Sequence, residues 1–407
     1  MSPTPTTQFR AGAVGAWLIA EAGRAGGPRA LLDELCPRLI EAGLPLVRAT
    51  FNLQTLHPQM LAQSFTWWRG QGDAVAVDHS RGGETSPEYL DSPVAAIHGG
   101  AGGVRCRLDA DPPQLDYPLM HELKAMGVTD YVMMPQTFSD GVTNGVSWST
   151  DRPGGFATEE LGEIYELLPL IALLLELSVA RKIATTVLET YIGKHAASRV
   201  LAGEITRGSG HTMRAVLWYC DLRDFTALSE SRPRDELIEL LNDFFECMTA
   251  PVHASGGEVL KFMGDGMLAI FPCGAADACD ACRNALKTAA TALAALDALN
   301  RRRAAAGKPI LEAGLALHLG DVMYGNIGAP DRLDFTVIGP AVNEVARVER
   351  FCRKLGRPLL VTAAVAAESE DALVSVGRFE LRGVSAAQEL FTLPAYAQSA
   401  RAAKPAG

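Results

Sequence analysis

Positive charge is in short supply in this chain. Its 37 lysines and arginines stand against 47 aspartates and glutamates, a formal net charge of -10. That balance excludes a broad nucleic-acid surface and leaves any phosphate site to a few placed cations. Long apolar runs are missing too. Residues 11–20 are apolar but stop at Glu21, and 167–175 is short and flanked by Glu166 and Glu176. Neither approaches the roughly 20 residues of a membrane helix, so no membrane span is expected, and 11–20 reads as an opening helix and not a signal peptide. A disulfide framework is also lacking: the eight cysteines are dispersed along 407 residues, which suits a reducing compartment, the cytoplasm. Cys279 and Cys282 make a lone C-x-x-C in an Ala-rich stretch; ordinary helix cysteines are the simpler reading beside zinc or redox chemistry.

What is present is enough apolar material, 48% of residues, to bury substantial cores, and a length that calls for two domains. The chain divides into an N-terminal segment 1–29, an α+β domain 30–160 with a mainly antiparallel sheet, a helical linker 161–205, a second α+β domain 206–395 and a flexible tail 396–407. In the first domain, 30–42 is an amphipathic helix ended by Gly43 and Pro45. Strands are expected at 46–53, 65–68, 104–108, 131–135 and 144–149, with glycine-rich turns between. Leu161, Ile164, Leu168, Ile171 and Leu175 recur at steps of three and four. They suit either the seam of a two-stranded coil or a stripe packed on the domain's own sheet. Pro169 marks a possible helix start within this stretch. A second helical segment, 183–201, leads to a glycine-containing joint at 203–210.

The second domain carries the chemistry. An apolar strand pattern at 215–220 runs into Asp221-Leu222-Arg223-Asp224-Phe225-Thr226. A carboxylate at the end of a buried strand is costly unless a cation compensates it. Further on, 257–261 and 267–271 form two strands around Met263-Gly264-Asp265-Gly266, a tight hairpin with Asp265 at its tip. Two strand-end aspartates offer the oxygen ligands that a hard divalent cation needs. A third segment holds Gly325-Asn326-Ile327-Gly328, Asp334-Phe335-Thr336-Val337-Ile338-Gly339, and then Asn343 and Arg347. These last two, four apart, share one helix face. An amide and a guanidinium projecting together suit the developing charge at a reacting phosphorus.

Three blocks, VLWYCDLRDFTALSE at 216–230, GGEVLKFMGDGMLAIF at 256–271 and DFTVIGPAVNEVAR at 334–347, together resemble a class III adenylate/guanylate cyclase catalytic domain over roughly 211–395. The resemblance implies a ferredoxin-like βαββαβ sheet with helices on one face, working as a head-to-tail homodimer with sites at the interface. It implies that Asp221 and Asp265, with the Leu222 carbonyl, bind two divalent metal ions, magnesium or manganese. Lys261 and Thr336 would select the purine, Asn343 would orient the ribose or purine, and Arg347 would stabilise the transition state. Arg332 and Arg382 fall near positions that contact the triphosphate. Metal ligands and purine selectors come from opposite protomers, so one chain would serve two sites. The sequence departs from the family's pattern at Pro340, where many relatives have aspartate, and at Glu344, where a small or apolar residue is usual.

The base follows from hydrogen-bond polarity. Adenine N1 accepts and its amino group donates, matching a lysine ammonium and a threonine hydroxyl. Guanine reverses both and would call for a carboxylate at 261, and a buried mismatch leaves polar groups unpaired. The expected reaction is therefore ATP to 3′,5′-cyclic AMP and pyrophosphate. The alternatives are a guanylate cyclase, which Lys261 disfavours, and a catalytically weak nucleotide-binding regulatory module. Residues 30–180, through Thr129-Asp130-Tyr131, Pro135, Ser139-Asp140-Gly141 and Gly154-Gly155-Phe156, resemble a GAF-type sensor domain. That resemblance implies a regulatory role and a pocket for a small-molecule ligand.

Overall fold

The computed structural model describes residues 11–57, 60–274, 278–381 and 386–398, and the chain splits into two compact units, Met1–Val187 and Leu188–Gly407. The first unit is built on six antiparallel strands: β1 Arg48–Gln54, β2 Met60–Trp68, β3 Val75–Ser80, β4 Val104–Arg107, β5 Asp130–Thr137 and β6 Thr143–Thr150, in the order β3-β2-β1-β6-β5-β4. Side chains alternate across a strand. Ala49, Phe51, Leu53, Val146 and Trp148 enter one core with helices Gly12–Ala20, Pro28–Glu41 and the first half of Thr158–Ile192. Tyr131 and Met133 face the other way, toward the short helices Pro93–His98 and Pro118–Ala125. β3 was not anticipated from the sequence. All six of its residues are exposed, so no burial pattern marks it.

The two readings of the 161–175 stripe are resolved here. Ile164, Leu168, Ile171 and Leu175 lie in the core of this unit, with Leu161 packed at its edge. They cover the sheet instead of forming a free seam. Pro169 does not start a helix; Thr158–Ile192 runs through it, its tertiary packing outweighing the hydrogen bond that proline removes. Gly193, at φ 84°, ends that helix, and Lys194–Leu201 follows as a separate one. Two of the segments that carried the sensor resemblance, 129–131 and 154–156, meet. Asp130 is fully buried and accepts from Arg105 Nη2 at 2.8 Å and from the Phe156 N–H at 3.0 Å. Gly155 is required there, since a Cβ would lie 2.5 Å from the Asp130 carboxylate.

The second unit holds β7 Gly210–Leu222, β8 Glu258–Met263, β9 Gly266–Pro272, β10 Ala313–Ala329, β11 Arg332–Ile338, β12 Leu359–Thr362, β13 Val374–Phe379 and β14 Gln388–Thr392, ordered β13-β14-β12-β10-β7-β9-β8 with β11 paired to β10. Its central order β10-β7-β9-β8, with helices Arg234–Ala254 and Ala278–Ala305 between strands, is a βαββαβ arrangement. Both helices pack on the face bearing Val216, Trp218 and Cys220. The opposite face of β7, Ala215 and Leu217, is equally apolar and also needs cover. Helix Pro340–Lys354 supplies it through Val345, Val348 and Cys352, a layer additional to the expected single helical face. Cys279 and Cys282 are helix residues, with Cys282 buried and its thiol pushed up to about 12.

Candidate active site

β7 is the centre of the sheet, paired with β9 and β10, and Asp221 stands at its end. Asp221 stands opposite Gly266 on β9 and Gly314 on β10. Both glycines make room: a Cβ at Gly266 would lie 3.3 Å from Asp221 Oδ1, and one at Gly314 would meet Glu349 Oε1 at 2.3 Å. Beyond Asp221 the strand end is clamped by Arg223, which donates to the carbonyl of Cys352 at 3.0 Å and to that of Arg357 at 2.5 Å. The next residue, Asp224, takes a left-handed conformation at φ 56° and pairs with Arg353 at 2.5 Å.

Asp265 sits with Gly264 in the two-residue turn joining β8 to β9, where Met263 pairs Gly266 and Gly264 has φ 68°. This turn returns Asp265 to Asp221, close enough for the two carboxyls to act on one another. The Asp221 carboxyl is pushed up to about 7, by burial first, then by Asp265 and Glu349, while the Leu222 backbone opposes the shift. Its Oδ1 is buried with no hydrogen-bond partner among the described residues. Asp221, Leu222 and Asp265 line a cleft of about 490 Å³ together with Asp224, Thr226 and Arg353. Two touching carboxyls and an orphaned buried oxygen are the donor set that a hard divalent cation satisfies, so these residues fit the metals implied by the sequence.

The remaining candidates lie elsewhere in the unit. Lys261 is on β8 just past an irregularity between Val259 and Lys261 that re-aims it. Its Nζ lies 3.5 Å from Asp334 Oδ2 on β11. Thr336, also on β11, is 4% exposed and its Oγ1 has no partner among the described residues. Tyr324 and Phe335 stack edge to face beside it, and Tyr324 donates to Glu258 at 2.9 Å. Arg332 is exposed at the start of β11. Asn343 and Arg347 sit one turn apart on the helix after β11, exposed and half-buried, with no hydrogen bond or ion pair to a described residue. Arg382 lies outside the described residues. None of Lys261, Thr336, Arg332, Asn343 or Arg347 lines the cleft that holds Asp221 and Asp265. The two unusual residues of this helix fit locally. Pro340 occupies its first turn, where a missing N–H costs nothing. Glu344 lies 3.7 Å from His318 Nδ1, whose imidazole burial holds below its usual range.

Sequence reasoning missed Arg353, Asp334 and Glu349. Asp334 was legible within its motif, but nothing in one dimension ties it to Lys261. Arg353 reads as an ordinary basic residue in a last helical turn, and Glu349 as a surface position on a helix. Burial, visible only in the fold, sets Glu349 apart.

Residues 211–393 match the family model of the adenylate and guanylate cyclase catalytic domain. An adenylate cyclase of Anabaena cylindrica is 34% identical over 158 residues, covering 39% of this chain and 31% of the relative. Adenylate cyclase 1 of Rhizobium meliloti is 29% identical over 192 residues, covering 45% and 29%. The chain thus spans about a third of the length of these curated relatives. Among solved structures, the adenylyl cyclase CyaB of P. aeruginosa is 25% identical with a TM-score of 0.41, covering 45% of this chain and 94% of that one. A bacterial light-regulated adenylyl cyclase is 21% identical with a TM-score of 0.48, covering 65% and 84%. The family match and the curated relatives support an adenylate and guanylate cyclase catalytic domain over residues 211–393. No helix among the described residues is long and apolar enough to cross a membrane.

Proposed function

We propose that the C-terminal unit converts ATP to 3′,5′-cyclic AMP and pyrophosphate, and that it does so as a head-to-tail homodimer. The observation that carries the chemistry is the Asp221–Asp265 pair, two carboxyls in contact with one buried oxygen left unpartnered. Asp221, Asp265 and the Leu222 carbonyl would hold two divalent cations, which supply Lewis acidity toward the ribose 3′-hydroxyl and charge neutralisation at the triphosphate. Lys261 donates to adenine N1 and Thr336, whose orphaned Oγ1 needs a partner, accepts from the amino group. Asn343 orients the sugar, and Arg347 meets the charge developing at the α-phosphate. Arg332 and Arg382 are assigned to the triphosphate.

The dimer reading is supported by the separation of the two clusters in one chain, the metal cleft being lined by none of the base-selecting or transition-state residues. A partner supplying the second cluster would complete each site. The first unit is assigned a regulatory, GAF-like sensor role, supported by its independent antiparallel α+β core.

The test mixes two inactive variants. Asp265→Ala and Arg347→Ala each lose activity with manganese and ATP. An equal mixture should regain about one quarter of wild-type activity, because half the random dimers carry one intact site of two. No recovery on mixing excludes the shared site, and full activity of Asp265→Ala alone excludes the two-metal chemistry.

A further inference from the structure

In the first unit a charged side chain is buried without a counter-ion. Arg48 on β1 is 9% exposed. Its Nη1 reaches Ser147 Oγ at 3.5 Å and its guanidinium lies 5.6 Å from the Trp68 ring. Among the described residues no carboxylate pairs with it. The same sheet shows what a structural pair looks like: Arg105 is matched by Asp130 at 2.8 Å. A buried guanidinium normally demands such a partner, since the isolated charge costs several kcal/mol. A ring at the edge of cation–π range returns only a fraction of that cost.

Arg48 lines a cavity of about 440 Å³. The cavity lies on the face of the sheet opposite the large apolar core. There β1 presents Arg48, Thr50 and Asn52, alternating with the core residues Ala49, Phe51 and Leu53. A sheet covered on both faces is ordinarily apolar on both; this face is polar at its centre although short helices cover it. Tyr131 and Ser147, 2% and 1% exposed, line the cavity beside Arg48. The chamber adjoins a second cleft of about 590 Å³ that shares Asn52, Glu88, Ser92 and Val94. At the rim stand Glu88, Asp91 and Glu122, all exposed.

We propose that this chamber binds a small molecule through a single oxyanion group, a carboxylate or a phosphate monoester, seated on the Arg48 guanidinium and the Ser147 and Tyr131 hydroxyls. The planar fork of arginine matches such a group bidentately. The rim carboxylates repel a second anionic group, so a polyphosphate is disfavoured and a neutral or cationic far end is favoured. This site deepens and rests on the sensor role proposed for the first unit, and it is separate from the nucleotide chemistry of the second unit.

The probes are acetate and methyl phosphate, each titrated into the full chain against chloride at constant ionic strength. Hydrogen exchange is followed in peptides covering 48–54 and 143–150. One probe should slow exchange there about tenfold at about ten times its dissociation constant, and which one does so names the group. Arg48→Met should lose the response and, in chloride alone, melt no lower than wild type, because the charge it removes has no ion-pair partner among the described residues. Asp265→Ala should respond as wild type. Absence of protection by both probes, equal protection in Arg48→Met, or loss of response in Asp265→Ala overturns the assignment. A melting point of Arg48→Met well below wild type in chloride would make Arg48 a structural residue and overturns it equally.

Discussion

Lys261 Nζ lies 3.5 Å from Asp334 Oδ2 across the β8–β11 contact, so the lysine proposed to read adenine faces a carboxylate from β11. Both side chains are solvent-accessible, 34% and 60% exposed, and such pairs are worth at most about 1 kcal/mol. Asp334→Asn should therefore lower the KM for ATP by up to about fivefold and leave kcat unchanged. Steady-state kinetics decide it; a raised KM would mean that Asp334 orients the lysine instead of competing with the base.

Lys261→Glu reverses the hydrogen-bond polarity offered to the purine. Activity with ATP, measured as kcat/KM, should fall by about two orders of magnitude, the size of a buried mismatch of a few kcal/mol. ATP and GTP assayed side by side check this, and an unchanged preference refutes the assignment of the base site.

The Asp221 carboxyl is raised in the fold to about 7, against about 3.9 for an unfolded aspartate. A raised acid destabilises the fold as it ionises, so metal-free protein should lose stability as pH climbs from about 4 to about 7 and level off above. Asp221→Asn should flatten that dependence. Thermal melts in chelator between pH 5 and 8 measure it, and equal slopes for the two proteins would remove the carboxyl pair from the explanation.

Manganese binding should displace a proton from the same pair. Its affinity should fall as pH drops below about 7, and calorimetry in buffers of different ionisation enthalpy should show proton release. A pH-independent affinity would place the cation elsewhere.

Gly314 faces Glu349 Oε1, which a Cβ would approach to 2.3 Å, and Cys352 Cβ, at 3.0 Å. Gly314→Ala should destabilise by about 1–3 kcal/mol through overpacking, read from denaturant unfolding. A neutral effect would show that the helix above β10 can move aside.

Much of this protein is legible one residue at a time. Two strand-end carboxylates, a glycine-flanked aspartate and an Asn–Arg pair at helical spacing are local patterns. Each is dictated by short-range geometry: the tight turn at Gly264, the alternation of β7, the 3.6-residue period. Helix and strand positions in the first unit follow from the same rules wherever one face is buried. They fail at β3, whose residues are all exposed, and at Pro169, where packing overrides a local breaker. Only the tertiary structure decided that Asp221 and Asp265 act on one another, that Lys261 and Asp334 meet, and that the stripe through Ile164 and Leu175 covers its own sheet. The buried Arg48 also belongs to that second class. Its sequence reads as one arginine opening a strand; desolvation, and the lack of a paired carboxylate among the described residues, depend on what distant segments bring around it.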